Sequence, residues 1–552
     1  MGVMGARLGA LEDFPLHFYG QHYMGTLEVP LLALIQRLGP SAWRFSGWPI
    51  RLTEAAYFAL LVVVHYKLVA RFFGDRAGRW AALLLCIGPI FWMDYSSRLR
   101  HVTLMMAVGE LAALVALDAI DRRDRERRVG ALRWLGFGAL LGLMWWHYQL
   151  SAIYLAGTMA LLASRPAMMR RWASRDEGDG VDALAAACLT TMVVAAAALA
   201  GHSLGWGWSV PGGARTTIPM LLAIFAAAAG IDARRIGANA SRFEPALLLS
   251  GFLLGFAPAL IYMLLIDPAD FWIPKTTARW AQLPWRVSNL LVLDAAAALE
   301  ITRPGETIAH AHQVDARSYF NLAIHSIGFY MLARAIVAPR SSFERIGGAF
   351  FLTVFGALVG LNALIDRPTF WTAPRFLTPI FAVVSVGPAL AIDRLQSALV
   401  RGGERASRFA SPALGAALFA GGLALWAPRW IEAPTTPMHV ASGHRRVTME
   451  MLEALRSRGV RIVDIERSPE HVLFGYELFF ASGLSIRFNR DDPLGDRLAG
   501  LLDESSFGGE PHVMAHVDRS VIPAEAEDSP ATLRVGDYVV YPARFKIPPR
   551  SN

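Results

Sequence analysis

Residues 132–164, LRWLGFGALLGLMWWHYQLSAIYLAGTMALLAS, decide the fold of this chain. The stretch is almost entirely apolar, and His147 lies near its middle. A membrane-spanning helix needs roughly 20 apolar residues, so the stretch is long for one span and short for two. It predicts either one long tilted helix or a helical hairpin with a tight turn near His147. The orientation of every later segment depends on which of the two forms.

The composition of the chain indicates an integral membrane protein. Of 552 residues, 54% are hydrophobic and 18% are charged, and the net charge is +8. Soluble chains average roughly 25% charged residues, and a single soluble core does not grow to this size. The basic residues lie between apolar segments rather than in one cluster, so they do not predict nucleic-acid binding. The two cysteines, Cys86 and Cys188, lie in apolar runs and predict neither a disulfide framework nor a zinc site.

Clusters of basic residues follow alternate apolar runs, and they decide between the two interpretations of residues 132–164. With a hairpin there, every basic cluster falls on one side of the membrane, which the positive-inside rule places in the cytoplasm. We therefore predict a hairpin and about twelve spans, with residues 1–50, loop 266–318 and the tail from about 429 outside. The predicted spans are 53–71, 79–94, 101–120, 132–146, 148–164, 183–201, 216–231, 246–265, 319–338, 347–365, 375–392 and 410–427.

Three domains follow from this organisation. Residues 1–50 form an outer-face loop with interfacial helices, residues 51–428 form the transmembrane domain, and residues 429–552 form a soluble α/β domain. The tail alternates apolar and polar residues around turn signals, which is typical of short strands. It predicts a helix and five strands at 449–458, 461–465, 473–480, 484–488, 512–516 and 534–541.

The first outer loop contains an unusual concentration of aromatic, amide, histidine and carboxylate groups. Residues 14–31 read FPLHFYGQHYMGTLEVPL. This run resembles the first outer loop of bacterial family-39-type glycosyltransferases, which have the GT-C membrane fold. The family is related to the aminoarabinose transferases of lipid A and to the protein O-mannosyltransferases. Three further stretches are similar to it: GLMWWH at 142–147, GFLLGFAP at 251–258 and APRFLTP at 373–379.

The resemblance implies sugar transfer from a polyprenyl phosphate to a lipid, glycan or protein acceptor at the outer face of the bacterial inner membrane. It implies about thirteen helices, an outer cavity and an extracytoplasmic C-terminal domain. The family's first helix, which ends at an acidic motif, would precede Val3 and Met4 and is missing here. We expect either a start that was assigned too late or a degenerate relative that lacks the catalytic Asp.

Glu28 and Asp13 are the candidate catalytic carboxylates, because such a transfer needs a group that activates the acceptor hydroxyl. The resemblance places Glu28 near a charged family position that contacts the donor phosphate or the cavity. Its alternative is a helix N-terminal acid that the helix dipole favours. Asp13 is the acid nearest to the missing motif, and its alternative is a turn residue.

Arginines at the outer ends of two spans are the candidate ligands of the donor phosphate. Arg98 and Arg100 precede the third span, and Arg375 begins the eleventh. A guanidinium suits a phosphate, although interfacial anchoring explains the same positions. The family often has an acid a few residues after the first arginine, where this chain has Thr103 and Leu104.

The remaining candidates line the predicted substrate cavity. They are Gln21, His22, Tyr23, His101, Trp146 and His147. For His147 a structural cap is an equal alternative to sugar or phosphate contact.

Two other polar features have simpler explanations. Glu110 lies at mid-membrane, where a helix–helix hydrogen bond accounts for it. We expect no required cofactor. A divalent metal at His310, His312 and Asp315 is conceivable but has no obvious full ligand set.

The leading hypothesis is therefore an inverting glycosyltransferase. A transporter is one rival, but the sequence shows no internal repeat and its polar groups gather at one face. A non-catalytic relative that binds lipid-linked sugar is the other. The sequence names neither the sugar nor the acceptor.

Overall fold

The computed structural model describes a large part of the predicted membrane domain and the strands of the tail. The described residues are 8–9, 17–18, 21–40, 48–89, 92, 101–122, 130–158, 160–161, 244–261, 286–287, 290–295, 298–299, 316–364, 377–401, 413, 420–421, 462–465, 485–488, 512–516, 533–535 and 538–542.

The described body of the chain is mostly helical, as the sequence predicts. Its helices are α1 (Val29–Leu38), α2 (Trp48–Phe73), α3 (Asp75–Cys86), α4 (Val102–Arg122), α5 (Gly130–His147), α6 (Glu244–Ile261), α7 (Ala316–Val337), α8 (Ser342–Leu364), α9 (Pro379–Val384) and α10 (Val386–Arg401). The strands are β1 (His17–Phe18), β2 (Gln21–Gly25), β3 (Ile462–Ile465), β4 (Ser485–Phe488), β5 (His512–His516), β6 (Leu533–Val535) and β7 (Tyr538–Pro542).

The chain divides into two compact units. One unit comprises Met1–His22, Thr26–Thr53 and Ile431–Asn552, and the other comprises Tyr23–Gly25 and Glu54–Trp430. The second unit contains almost all of the apolar helices.

Among the described residues, four helical segments are long and apolar enough to cross a membrane. They are Trp48–Phe73, Tyr319–Val337, Ser342–Ala363 and Pro379–Ala398. Each coincides with a predicted span, and the protein is therefore a membrane protein. The predicted spans at 183–201 and 216–231 lie outside the described residues, so the total of about twelve stays a prediction.

The apolar stretch at 132–164 breaks near its middle. Helix α5 ends at His147, and a 3-10 turn at Gln149–Ser151 separates it from helical residues 152–158. The single continuous helix is therefore excluded, and the break lies where the hairpin requires it. The amide of Tyr148 still donates to Met144 O at 3.1 Å, so the first helix remains hydrogen-bonded to its end.

Helices α5 and α6 approach each other more closely than ordinary side chains allow. Gly138 and Gly142 of α5 face Gly251 and Gly255 of α6, at the same four-residue spacing. A Cβ at Gly138 would clash with the carbonyl oxygen of Leu248, and one at Gly255 would clash with the carbonyl oxygen of Ala139. Apolar side chains gain nothing from leaving lipid, so close backbone packing is what holds such a pair together.

A buried polar contact joins α2 to α4 in the middle of the helices. His65 Nδ1 lies 2.9 Å and 3.0 Å from the two carboxylate oxygens of Glu110, and both side chains are almost fully buried. The helix–helix hydrogen bond expected for Glu110 is confirmed. The contact with His65 stabilises the Glu110 carboxylate, whose burial at this depth would otherwise cost free energy.

A network of charged side chains joins the starts of α3 and α8 to the middle of α10. Asp393 accepts from Arg340 at 3.1 Å and pairs with Arg76 at 3.2 Å. Glu344 accepts from Arg340 Nε at 3.2 Å and pairs with Arg394. Both carboxylates are buried, and each has two arginine partners.

The Arg340 guanidinium itself lies in the loop between α7 and α8. Burial lowers its pKa, but attraction to Glu344 and the hydrogen bond to Asp393 outweigh this, so the pKa is raised.

The tail contains a five-stranded mixed sheet with strand order β4-β3-β5-β7-β6. Strand β3 runs parallel to β4 and β5, whereas β7 runs antiparallel to β5 and β6. The predicted strands at 461–465, 484–488 and 512–516 form within a residue of their expected bounds. The single strand expected at 534–541 is instead a pair, with Val535 opposite Tyr538. The helix and strand expected at 449–458 and 473–480 lie outside the described residues.

We expect Gly138→Ala to destabilise the α5–α6 pair, because overpacking costs about 1–3 kcal/mol or more. The control is Gly136→Ala in the same helix, where an added Cβ meets nothing within 4 Å. Thermal unfolding in detergent, followed by size-exclusion chromatography, should show a lower Tm for the first variant alone. Equal Tm values would contradict the close packing.

We expect Asp393→Asn to lower the free energy of unfolding by about 1–3 kcal/mol, because the buried carboxylate loses its charged hydrogen bonds to two half-exposed arginines, Arg76 and Arg340. Asp75→Asn is the matched control, since Asp75 pairs with Arg79 on an exposed surface. Exposed pairs contribute little to stability, so this variant should unfold almost like the parent protein. Equal losses in denaturant unfolding would show that the network is not structural.

Candidate functional site

Two of the predicted cavity residues, His101 and His147, lie together in the structure. Their ring centroids are 5.2 Å apart, and both side chains are buried. His101 immediately precedes α4, and His147 ends α5. Sequence reasoning placed both at outer helix ends, and the fold brings these two ends into contact.

The backbone of His101 holds this pair in place. Its φ of 60° lies in the left-handed region, which non-glycine residues adopt uncommonly and often at functional sites. Its carbonyl oxygen accepts from the Met105 amide at 3.0 Å and lies 3.2 Å from His147 Nε2. A carbonyl only accepts, so His147 carries a proton on Nε2. In neutral His147 the lone pair is therefore on Nδ1.

A carboxylate lies beside the first turn of α4. Thr103 Oγ1 donates to Glu54 Oε1 at 2.7 Å, and both side chains are 3% exposed. Thr103 occupies the region where the resemblance expected an acid that this chain lacks. Glu54, from the neighbouring helix α2, supplies a carboxylate to that region.

The first-loop motif is anchored to the end of α5 by a glycine. A Cβ added to Gly25 would lie 2.8 Å from both Cε2 and the carbonyl oxygen of Trp146. Any larger residue would have to displace the indole or the backbone next to His147. The motif in β2 and the motif at the end of α5 are therefore in direct contact.

Glu28 is buried, with 1% of its surface exposed, and directly precedes α1. It occupies the N-cap position of that helix but makes no side-chain capping hydrogen bond. Its position suits the dipole interpretation, and its burial suits a functional carboxylate. Both interpretations therefore stay open.

Several predicted site residues lie outside the part of the chain that the structure describes. They are Asp13, Arg98, Arg100 and Arg375, together with the metal candidates His310, His312 and Asp315. Gln21, His22 and Tyr23 lie on β2, where only the backbone is described.

Glu54 is a residue of the candidate site that sequence reasoning missed. It stands near the start of an apolar run, where an acid reads as an ordinary helix-end charge. Its contact is with Thr103, 49 positions along the chain. One signal could have identified it. Glu54 is a carboxylate inside the predicted span 53–71, at the outer end where the other polar candidates also lie.

The Glu54–Thr103 contact can be measured with a double-mutant cycle of Glu54→Ala and Thr103→Val. Hydrogen bonds to charged groups contribute about 1.5–3 kcal/mol, so we expect a coupling energy of that size in thermal unfolding. Glu54→Gln keeps an acceptor and should cost less than Glu54→Ala. Additive single effects would show that the contact does not contribute to stability.

Comparison with known proteins gives one family match. The sequence model of the dolichyl-phosphate-mannose-protein mannosyltransferase family matches residues 28–193. No curated protein matches the chain.

Solved structures give weaker similarities in fold. Archaeoglobus fulgidus oligosaccharyltransferase in complex with zinc and sulfate is 14% identical, with a TM-score of 0.42, over 93% of this chain and 62% of that one. ArnT from Cupriavidus metallidurans bound to undecaprenyl phosphate is 12% identical, with a TM-score of 0.37, over 98% and 92%. The chain thus spans about three fifths of the archaeal protein.

The family match bears directly on the residues described above. Residues 28–193 include Glu54, His101, Thr103 and His147, as well as Glu28 at their first position. The resemblance that the sequence motifs indicated, to GT-C membrane glycosyltransferases related to the protein mannosyltransferases, is confirmed over this part of the chain.

Proposed function

We propose that this protein is a glycosyltransferase that moves a sugar from a polyprenyl-phosphate donor to a lipid, glycan or protein acceptor. The observation that carries the proposal is the family match over residues 28–193. This range includes the buried polar side chains at adjacent helix ends, which are Glu54, His101, Thr103 and His147. Those helices are apolar, and ionisable groups inside membrane helices are rare and often mark functional sites.

The reaction is a displacement at the anomeric carbon of the donor sugar. The acceptor oxygen forms a bond to that carbon, and the bond from the carbon to the phosphate oxygen breaks. The acceptor's proton passes to a carboxylate, and the lipid phosphate leaves as an anion. Attack from the face opposite the phosphate inverts the anomeric centre.

A carboxylate and cationic groups are the two requirements of this step. We assign the carboxylate role to Glu28, with Asp13 as the other candidate, because a buried carboxylate can accept the acceptor's proton. Arg98, Arg100 and Arg375 would bind the donor phosphate, since a guanidinium matches phosphate oxygens in two places at once.

His101 and His147 would form part of the cavity wall. His147 donates from Nε2 to the His101 carbonyl, so its orientation is set before substrate enters. Preorientation of this kind lets a polar group act without reorganisation. Trp146, which packs against Gly25, would cover one side of the sugar. Gln21, His22 and Tyr23 are the remaining cavity residues that the sequence predicts.

We also propose an inner-membrane location with the tail from about 429 outside. The charged network supports this topology. Arg76, Arg340 and Arg394 come from three different predicted cytoplasmic loops or helix ends, and they bind the same two carboxylates. Groups predicted on one side of the membrane therefore lie together.

The test is sugar transfer in membranes that contain the protein, supplied with a panel of labelled polyprenyl-phosphate monosaccharides. We expect Glu28→Gln to lower transfer at least about 100-fold, as for a lost general base. His147→Ala should lower it less and should raise KM. Asp75→Asn, an exposed carboxylate in the charged half of α3, is the control and should keep full transfer.

Folding is checked separately by the elution profile of each variant. Transfer that is unchanged in Glu28→Gln would exclude Glu28 as the base and direct attention to Asp13. If the folded protein binds the donors but transfers none of them, the non-catalytic alternative replaces this proposal.

A further inference from the structure

We propose that this protein binds the phosphate groups of anionic phospholipids at a basic surface on the membrane side opposite to the candidate site. The basic surface comprises the ends of α2, α7 and α10, the start of α3 and the loop between α7 and α8. The inference rests on charge and exposure in this region, and it does not depend on the proposed transferase activity.

The basic surface has a strong excess of exposed positive charge. Six of its basic side chains are exposed, against one exposed acidic side chain, among residues 63–80, 331–345 and 390–398 of the described chain. The six are Lys67, Arg71, Arg76, Arg79, Arg334 and Arg340. The one exposed acid is Asp75, which already pairs with Arg79 and accepts from Tyr66.

The other acidic groups of the region offset only part of this charge. Glu344 and Asp393 are buried, and these two carboxylates pair with three arginines, Arg76, Arg340 and Arg394. Their contacts hold Arg76 and Arg340 in fixed places while leaving 48% of each side chain exposed. An anion that approaches the surface therefore meets cations whose positions are already set.

One donor in this region also lacks a partner. Within the described part of the chain, Nε of Arg394 is buried and makes no hydrogen bond, although its guanidinium pairs with Glu344 through another nitrogen. The side chain is 18% exposed, so it reaches the edge of the surface. That nitrogen is itself buried, so a phosphate at the surface would contact the exposed part of the Arg394 side chain.

Exposed apolar side chains stand directly beside the cations. Val337 is 81% exposed between Arg334 and Arg340, Leu395 is 50% exposed next to Arg394, and Val63 is 55% exposed one turn before Lys67. Their helices are long and apolar enough to cross a membrane. Cations with apolar residues beside them fit a phosphate headgroup with its acyl chains, and this distinguishes a lipid from a soluble polyanion.

The strength of such binding can be estimated from the membrane surface potential. Each Lys or Arg near an anionic lipid surface contributes about fivefold in affinity, and salt screens the effect. Lys67→Gln with Arg334→Gln removes two exposed cations and leaves the buried carboxylate network intact. We therefore expect this double variant to bind anionic lipid about 25-fold more weakly.

The experiment is lipid binding to the purified full-length protein in detergent, counted by native mass spectrometry. Phosphatidylglycerol and phosphatidylcholine with identical acyl chains are the two probes. We expect phosphatidylglycerol to bind at least about tenfold more tightly, with the difference shrinking as salt rises. Arg51→Gln is the matched control, because Arg51 is an exposed cation at the other end of α2.

Three results would overturn the proposal. They are equal affinity for the two lipids, an equal loss in Arg51→Gln and in the double variant, and displacement of the lipid by inorganic phosphate alone. The assay contains no sugar donor, so failure here leaves the transferase proposal untouched, and failure of transfer leaves this one untouched.

Discussion

The close contact between α5 and α6 is the constraint on which the candidate site depends. Lipid is as apolar as leucine, so two membrane helices gain little by burying large side chains against each other. They gain when their backbones approach, and the facing glycines make this approach possible. The position of α5 fixes its last residue, His147, whose ring then meets the carbonyl of His101. Trp146, one residue earlier, packs against Gly25 of the first outer loop.

Polar interactions divide the helical unit into three levels with different physical roles. At one end lie Glu54 with Thr103 and the two histidines, where buried polar groups face adjacent helix ends. The pair of His65 and Glu110 lies deeper, and it satisfies groups that would be costly alone in an apolar interior. At the opposite end the carboxylates are buried under arginines, and the cations left over face outward. This arrangement places the candidate site and the basic surface at opposite ends of the helices.

Much of the architecture was predictable, because membrane spans are properties of local composition. The four spans found in the described residues coincide with predicted ones, and the break after His147 lies where the basic loops require it. Short tail strands were also predictable from alternation. The expected strand at 534–541 proved to be two, and the overlooked signal is Gly-Asp at 536–537, a dipeptide typical of a tight turn. In the candidate site, His101 and His147 were both predicted cavity residues, whereas the contact between Glu54 and Thr103 was not predicted.

The sequence by itself determined that the chain belongs in a membrane, where the four described spans lie and which segments are basic, because each of these depends on residues close together in the chain. It also identified the motifs that resemble a glycosyltransferase family. Only the tertiary structure decided which motifs meet. The partners in Glu54–Thr103, His101–His147 and Arg340–Asp393 are 46 to 53 positions apart. Such pairs depend on helix packing, which local composition does not encode.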